Sequence, residues 1–236
     1  MRKTAVVFRR ELGSYFRSPI AYVVIAAFMA LSGYFFSIAL FATRLAEMSF
    51  TFHNVSVVLL FIAPIITLKA LVEERRSGTD ELLLTAPISV PAIVLGKFLA
   101  AVGVFAVMLS GSLIFPAILG YLGDPDAGPI VSGYLGLFLL GSALLAAGIF
   151  ASSLTQDVVV SGMIGFAAML ILWSFSWVAG LLPGAWGDIA ASLALVTRFE
   201  EFVQGVVDIV DVLFYLSYIF VFLFLTIRVI DRRRWS

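Results

Sequence analysis

The chain has no cysteine and only one histidine in its 236 residues. Disulfides, thiolate metal sites and thiol nucleophiles are therefore excluded. The sequence also lacks a Walker-type phosphate loop, a glycine-rich dinucleotide turn and a histidine cluster with metal spacing. The single histidine, His53, lies near the end of an apolar run, where we expect an interfacial polar group rather than a ligand or a catalytic base.

Charged residues are scarce as well, at 13% of the chain, against roughly 25% in soluble domains. Hydrophobic residues reach 62% and the mean hydropathy is +1.10, which excludes a soluble fold. A helix needs about 20 apolar residues to cross a hydrocarbon core, and the chain has six runs of that kind. We predict an all-α integral membrane protein with one domain over residues 1–236 and spans at 20–43, 54–72, 90–121, 130–154, 158–182 and 212–230.

Basic residues are distributed unevenly between the ends of these runs. Thirteen of the fifteen lysines and arginines lie before the first span, in the second connection and its flanks, or in the tail from residue 228, and the other two are Arg44 and Arg198. Cytoplasmic loops carry an excess of Lys and Arg. The pattern predicts that both termini lie in the cytoplasm.

Residues 1–19, before the first span, have the pattern of an amphipathic helix. Apolar residues recur on one face while Lys3, Arg10 and Arg17 lie opposite. Such a helix lies in the membrane interface with its basic face towards anionic headgroups. The predicted apolar face consists of Ala5, Phe8, Leu12, Tyr15 and Phe16.

The connection 73–89 reads EERRSGTDELLLTAPIS. Thr79 is a plausible helix N-cap, and the two acidic residues after it suit the positive end of a helix dipole. The short helix must stop before Pro87, and it is too short to be stable alone in water. Its three leucines indicate either a docking site for a partner or a segment that dips into the membrane surface.

The connection 183–211 is the longest. Its apolar stretch 189–196 is too short to cross a membrane and is followed at once by charged residues. Helical turns that enter the outer leaflet and return would satisfy the backbone there. We therefore expect outer re-entrant helical turns.

Ionisable residues are almost absent from the middle of the predicted spans. Lys69 and Lys97 are expected to reach the inner surface by snorkelling, and Asp211 lies at the outer start of the last span. Proton-coupled and ion-coupled transporters usually carry carboxylates near the midplane. The sequence therefore argues against a secondary transporter.

Four strings carry a resemblance to a known family: RSPIAYV at 17–23, EERRSGTDELLLTAP at 73–87, RFEEFVQGVVD at 198–208 and RRRW at 232–235. With the interfacial helix, the six spans and the short cytoplasmic helix, they make the chain resemble the type-2 ABC transporter permeases over essentially its full length. The closest branch in this resemblance is that of the gliding-motility-associated permeases.

The resemblance implies that 78–86 is a coupling helix that fits a groove on a separate ATP-binding subunit, which holds ATP and Mg²⁺. It implies no catalytic residue, metal or cofactor in this chain. The implied partner-coupling residues are Glu73, Glu74, Arg75, Arg76, Gly78, Thr79, Asp80, Glu81, Leu82, Leu83, Leu84 and Pro87. The implied outer re-entrant residues are Arg198, Phe199, Glu200, Glu201, Phe202, Gly205 and Asp208.

Such permeases act as dimers in the bacterial inner membrane, with the substrate path between two copies. The leading expectation is an exporter of a lipidic or amphipathic substrate that binds no nucleic acid. A membrane anchor that passes ATP-driven motion to an envelope accessory protein without moving a solute is the alternative. An integral-membrane enzyme acting on lipid is a third possibility, but its polar catalytic groups are missing from the sequence.

Overall fold

The computed structural model describes residues 2–43, 47–68, 70–72, 89–181 and 183–234. These ranges contain ten helices longer than one turn and no strand. In chain order they are α1 (Arg2–Arg17), α2 (Pro19–Thr43), α3 (Ser49–Thr67), α4 (Val90–Ser112), α5 (Ile114–Leu122), α6 (Ala127–Leu154), α7 (Val158–Leu181), α8 (Ala185–Leu193), α9 (Leu195–Val203) and α10 (Ile209–Arg234).

Six helical segments are long and apolar enough to cross a membrane, which confirms the predicted number. Five of them are α2, α3, α6, α7 and α10. The sixth is formed by α4 and α5 together. The central one is α6, because 83% of its most apolar window is buried, against 28% for α2 and 22% each for α7 and α10. The protein is therefore a multi-pass helical bundle built around α6.

Small residues allow α6 to occupy the centre. A Cβ atom added at Gly141 would lie 2.2 Å from Cε1 of Phe105, and one at Gly148 would lie 2.2 Å from Oγ1 of Thr67. No real Cβ can approach so closely, so each glycine accepts a side chain of a neighbouring helix. Helix association in lipid relies on close packing of this kind.

The third span is interrupted between α4 and α5. Pro116 has no N–H group, and its ring clashes with the carbonyl four residues earlier, which belongs to Ser112. The helix breaks at that point, with Leu113 between the two parts. The Ser112 carbonyl instead accepts a hydrogen bond from the Tyr134 hydroxyl at 2.9 Å, so the backbone group freed by the break is satisfied.

The second span differs from its predicted bounds at both ends. Helix α3 begins at Ser49 rather than at residue 54, because its polar first turns bond internally. Nδ1 of His53 lies 2.9 Å from the Ser49 carbonyl oxygen, and Nδ2 of Asn54 donates to the Phe50 carbonyl at 2.8 Å. The α-helix ends at Thr67, before the predicted end at residue 72.

The two ends of the bundle differ in construction. We call the end where α1 lies and where α3 and α10 finish the terminal end. The end where α3 and α6 begin, and where α8 and α9 pack, is the distal end.

Candidate functional site

The residues for which the sequence predicted contacts with an ATP-binding subunit lie outside the described residues. They are Glu73, Glu74, Arg75, Arg76, Gly78, Thr79, Asp80, Glu81, Leu82, Leu83, Leu84 and Pro87. The described chain resumes at Ser89, whose extended backbone precedes the first turn of α4. The described helices on either side of this segment are α3 and α4.

Helix α1 packs directly against the start of α4. A Cβ atom at Gly96 would lie 2.6 Å from Cγ1 of Val7 and 3.3 Å from the backbone nitrogen of Phe8. At Gly103, about two turns further along α4, a Cβ atom would lie 3.2 Å from Cδ1 of Leu12. Because Gly96 has no side chain, the backbones of the two helices lie close together.

The buried face of α1 differs from its prediction in one respect. Val7 is buried and Ala5, which the helical pattern placed on the apolar face, is exposed. Val7 is buried because its side chain occupies the space beside Gly96, which has no side chain of its own.

An ion pair reinforces the contact between α1 and α4. Nζ of Lys97 lies 3.4 Å from Oε1 of Glu11, and its side chain is 4% exposed. The expectation that Lys97 snorkels to the inner surface is therefore wrong, because α1 covers it and supplies a carboxylate. A buried lysine needs such a partner to remain charged.

A hydrogen bond joins α1 to the end of α3. The Tyr15 hydroxyl donates to the Ile66 carbonyl at 2.8 Å, a carbonyl in the last turn of α3 that has no partner within the helix. Helix α1 therefore contacts the spans on both sides of the segment 73–88.

At the distal end, α8 and α9 occupy the connection between α7 and α10. Each has nine residues, or about 14 Å of helix, which is too short to cross the membrane. Helix α9 is amphipathic and buries one face against α6. A Cβ atom at Gly136 of α6 would lie 2.6 Å from Cβ of Phe202, and the Ser132 hydroxyl donates to the Phe202 carbonyl at 2.6 Å.

An ion pair joins α9 to the start of α10. Arg198 donates to Asp211 through Nη1, and its guanidinium carbon lies 4.6 Å from the centre of the Phe214 ring. The Asp211 side chain is 2% exposed, so this carboxylate depends on Arg198 for its counter-charge. Tyr215 adds a hydrogen bond from its hydroxyl to the Leu195 carbonyl at 2.7 Å.

Glu201 lies one turn after Arg198, on the exposed surface of α9. A side-chain hydrogen bond to Asp211 raises the pKa of Glu201, and the negative charge of Asp211 adds to the effect. With both carboxyls ionised, the buried Oδ2 atom of Asp211 has no donor among the residues that the structure describes.

The remaining residues of the predicted outer set fall into three groups. Phe199 and Phe202 are buried in the bundle, while Glu200 is exposed. Gly205 has φ +93° and ends the turn that follows α9, a conformation that disfavours any residue with a Cβ. Asp208 lies at the start of α10, where Oδ1 accepts from the Val210 backbone N–H at 2.9 Å.

A cavity of about 600 Å³ opens at the distal end, between the first turns of α3 and α6 and the end of α9. Three carboxylates and the only histidine line it, and Gln204 adds an amide. These polar side chains are Glu47, Asp124, Asp126, His53 and Gln204. In the described part of the chain, no group of three or more histidine and acidic side chains has the geometry of a metal site.

Several of these contacts were beyond the sequence interpretation. Lys97 and Glu11 are separated by more than 80 positions, and no helical repeat links them. The sequence contained a weak indication of the Arg198–Asp211 pair. Arg198 is the one basic residue in an otherwise acidic connection, and Asp211 follows at the start of the last span.

The family model of the ABC-2 family transporter proteins matches residues 16–235. The chain belongs to this family. As an ABC-2 protein it is a membrane permease subunit of an ABC transporter, a class in which the membrane subunit is generally not itself catalytic. No curated protein matches the chain significantly.

Proposed function

We propose that this ABC-2 permease exports a lipidic or amphipathic substrate across the bacterial inner membrane. A separate ATP-binding subunit holds ATP and Mg²⁺ and docks on residues 73–89. The observation that carries the proposal is the contact between α1 and α4. This contact joins α4, which follows the docking segment, to α1. Helix α1 is in turn hydrogen-bonded to the end of α3.

The terminal end faces the cytoplasm in this proposal. The thirteen basic residues assigned to the cytoplasmic side, against two on the other, support that orientation. The described part of the connection to α4 and the C-terminal end of α10 both lie at the terminal end. Docking of an ATPase from the cytoplasm needs this arrangement.

The third span is long enough to extend beyond the bilayer. Helices α4 and α5 together cover 33 residues, or about 50 Å, against a hydrocarbon core of about 30 Å. The charged contact between Lys97 and Glu11 lies in the first third of α4, so the excess length belongs at the cytoplasmic side. A partner that moves the segment before Val90 would move α4 and α1 as one unit.

The apolar faces of the bundle support a lipidic substrate and a second copy. Helices α2, α7 and α10 are mostly exposed in the single chain, and their exposed residues are large and apolar. In the described ranges the buried charged side chains are Lys97 and Asp211, and both are ion-paired near the ends of the bundle. This distribution suits a substrate that slides along apolar helix faces better than an ion that crosses the midplane.

We assign α8 and α9 to the outer lid of the path. Their contacts with α6, α7 and α10 hold them at the distal end, and the cavity of about 600 Å³ lies beside α9. Asp211 of α10 is paired with Arg198 of α9, and Ser132 of α6 donates a hydrogen bond to Phe202 of α9. Movement of α10 relative to α6 would therefore act on α9 through both contacts. The lid would therefore respond to a rearrangement of the spans.

The docking assignment is tested with Leu83→Asp, using Leu83→Met as the matched control. An unpaired charge buried at an interface typically costs several kcal/mol, so the aspartate variant should insert in the membrane but no longer co-purify with the ATP-binding subunit. The methionine variant should retain it. Equal recovery of the ATPase with both variants would contradict docking at this segment.

Export is tested in reconstituted vesicles that contain the permease and its ATPase. We expect ATP-dependent movement of a fluorescent lipid between leaflets and stimulation of ATP hydrolysis by that lipid. Hydrolysis without lipid movement would contradict lipid export and favour the mechanical role.

A further inference from the structure

Two buried hydroxyl groups inside the bundle lack a hydrogen-bond partner. They belong to Ser32 of α2, which is 1% exposed, and to Thr51 of α3, which is 2% exposed. Neither hydroxyl oxygen has a partner among the residues that the structure describes. A hydroxyl buried without a hydrogen bond costs free energy, and nearly all buried polar groups in folded proteins are satisfied by protein or by ordered water.

Other buried hydroxyls in the spans are bonded within their own helix. The Ser142 hydroxyl donates to the Phe138 carbonyl at 2.7 Å. The Thr226 hydroxyl donates to the Phe222 carbonyl, also at 2.7 Å. Each of these carbonyls lies one turn earlier, where a serine or threonine inside a helix commonly finds its partner. The two unpartnered hydroxyls make no such bond within the described ranges, so a different acceptor has to serve them.

A small cavity of about 10 Å³ lies beside both hydroxyls. One water molecule needs about this much room. Ser32, Thr51, Ser112 and Tyr134 line the cavity, and the rest of its lining is apolar and buried. In the described lining no side chain is charged, so an ion would have no counter-charge there. The size and the chemistry of the cavity therefore suit a single water molecule.

Ser112 and Tyr134 supply hydrogen-bond acceptors to this cavity. The Tyr134 hydroxyl donates its one hydrogen to the Ser112 carbonyl at 2.9 Å. The Ser112 hydroxyl lies 2.8 Å from the Leu109 carbonyl, its nearer acceptor, and 3.2 Å from the Tyr134 hydroxyl. A hydroxyl oxygen that donates its hydrogen still has lone pairs that can accept. The cavity therefore has two free hydroxyl donors and two hydroxyl oxygens that can accept.

We propose that this cavity binds one water molecule, which accepts hydrogen bonds from Ser32 and Thr51 and donates to the hydroxyl oxygens of Ser112 and Tyr134. Four hydrogen bonds are within the usual range for a buried water. The water joins α2 and α3 to the end of α4, where Pro116 breaks the third span. Ordered water is one of the means by which a broken membrane helix is satisfied inside a protein.

Met48 gives the water a route of entry. This residue lines both the small cavity and the cavity of about 600 Å³ at the distal end, and its side chain is 4% exposed. A methionine side chain is flexible. Water in the larger cavity is therefore separated from the buried site by one side chain that can change its rotamer.

Occupancy is measured by X-ray radiolysis of the purified full-length permease in detergent, followed by mass spectrometry. Radiolysis of a bound water produces hydroxyl radicals, which hydroxylate the side chains next to it. Phe52 lines the cavity, whereas Phe105 is equally buried and does not. We expect Phe52 to be hydroxylated several-fold faster than Phe105. Equal rates at the two phenylalanines would overturn the proposal.

Two matched pairs of substitutions test which groups hold the water. Ser32→Ala with Thr51→Val removes both free donors, whereas Ser142→Ala with Thr226→Val removes two buried hydroxyls that are bonded within their own helices. The first pair should reduce the hydroxylation of Phe52 several-fold, and the second pair should leave it unchanged. The same rate at Phe52 in both double variants would overturn the proposal.

The melting temperature of the single variant Thr51→Val gives an independent test with a milder change. Without a bound water, valine would replace an unsatisfied buried hydroxyl and should raise the melting temperature. With the water bound, valine removes one of its donors and should lower the melting temperature by a few degrees. A melting temperature equal to or above that of the unmodified protein would overturn the proposal. Because no ATPase is present, these outcomes are independent of whether the permease exports lipid.

Discussion

At the residue scale, ion pairs fix both ends of the bundle. Lys97 and Asp211 are buried, and each has an oppositely charged partner on another helix. A charge left without its partner in such a place is costly. Substitutions at these pairs should therefore affect stability more than substitutions of the exposed charges around them.

Removing one partner of the distal pair tests this point. Arg198→Met leaves the buried Asp211 without its counter-charge, whereas Arg198→Met with Asp211→Leu removes both charges. We expect the single variant to lose about 2 kcal/mol of unfolding free energy and the double variant to recover most of it, as measured by denaturant titration in detergent. A double variant no more stable than the single one would contradict the dependence of Asp211 on Arg198.

Glu201 should make the stability of the folded protein depend on pH. Its pKa in the folded protein is raised above the ordinary value of 4.5. At a pH between 4.5 and the raised pKa, the folded state therefore binds more protons than the unfolded chain. The free energy of unfolding should consequently fall as the pH rises from 4.5 through the raised pKa. The groups that act on this carboxyl are Asp211, Arg198 and Asp208.

Glu201→Gln imitates the protonated form and should remove most of that fall. The measurement is the melting temperature in detergent across the pH range, and Glu200→Gln on the exposed surface of the same helix is the control. The Glu200 variant should keep the pH dependence of the unmodified protein. The same slope in both variants would argue against a proton shared between Glu201 and Asp211.

At the element scale, helix packing decides which elements move together. Helix α1 is joined to α4 through Gly96 and Lys97 and to α3 through Tyr15. Helix α9 is joined to α6 through Ser132 and to α10 through Arg198. A movement that begins at α4 can reach α9 through α6 or α10, which contact α4, and also through α1 and α3, because α3 contacts α9 as well.

Gly96→Val tests the first of these links. A Cβ at this position would lie 2.6 Å from Val7, so valine should push α1 away from α4. We expect a lower melting temperature and ATP hydrolysis that no longer responds to substrate.

Gly120→Val is the control for this variant. A Cβ at Gly120 in α5 meets no atom within 4 Å, so this substitution should leave both properties unchanged. Similar behaviour of the two valine variants would show that the effect comes from glycine replacement in general rather than from the contact with α1.

At the scale of the whole molecule, orientation is the property that every functional proposal requires. The chain has no cysteine, so a single introduced cysteine is a unique reporter. Glu200→Cys at the distal end and Arg232→Cys at the terminal end replace exposed residues. A membrane-impermeant maleimide should label Glu200→Cys in intact cells once the outer membrane is permeable, and Arg232→Cys only after the inner membrane is opened. The reverse pattern would place the terminal end outside and exclude docking of a cytoplasmic ATPase on residues 73–89.

The sequence by itself determined the fold class, the number of spans and the family, because each depends on local properties. Six apolar runs cross a hydrocarbon core whatever their neighbours are. The EERRSGTDELLLTAP string indicated the family without any knowledge of packing, although its predicted role in docking remains a prediction.

Only the tertiary structure decided which residues meet. The pairing of Lys97 with Glu11, the contact of Gly96 with Val7 and the central position of α6 depend on how the helices cross. The crossing results from close packing summed over many side chains rather than from any local pattern. The pattern therefore shows that a lysine lies near the end of a span, while the fold decides whether it reaches the surface or is buried beside a carboxylate.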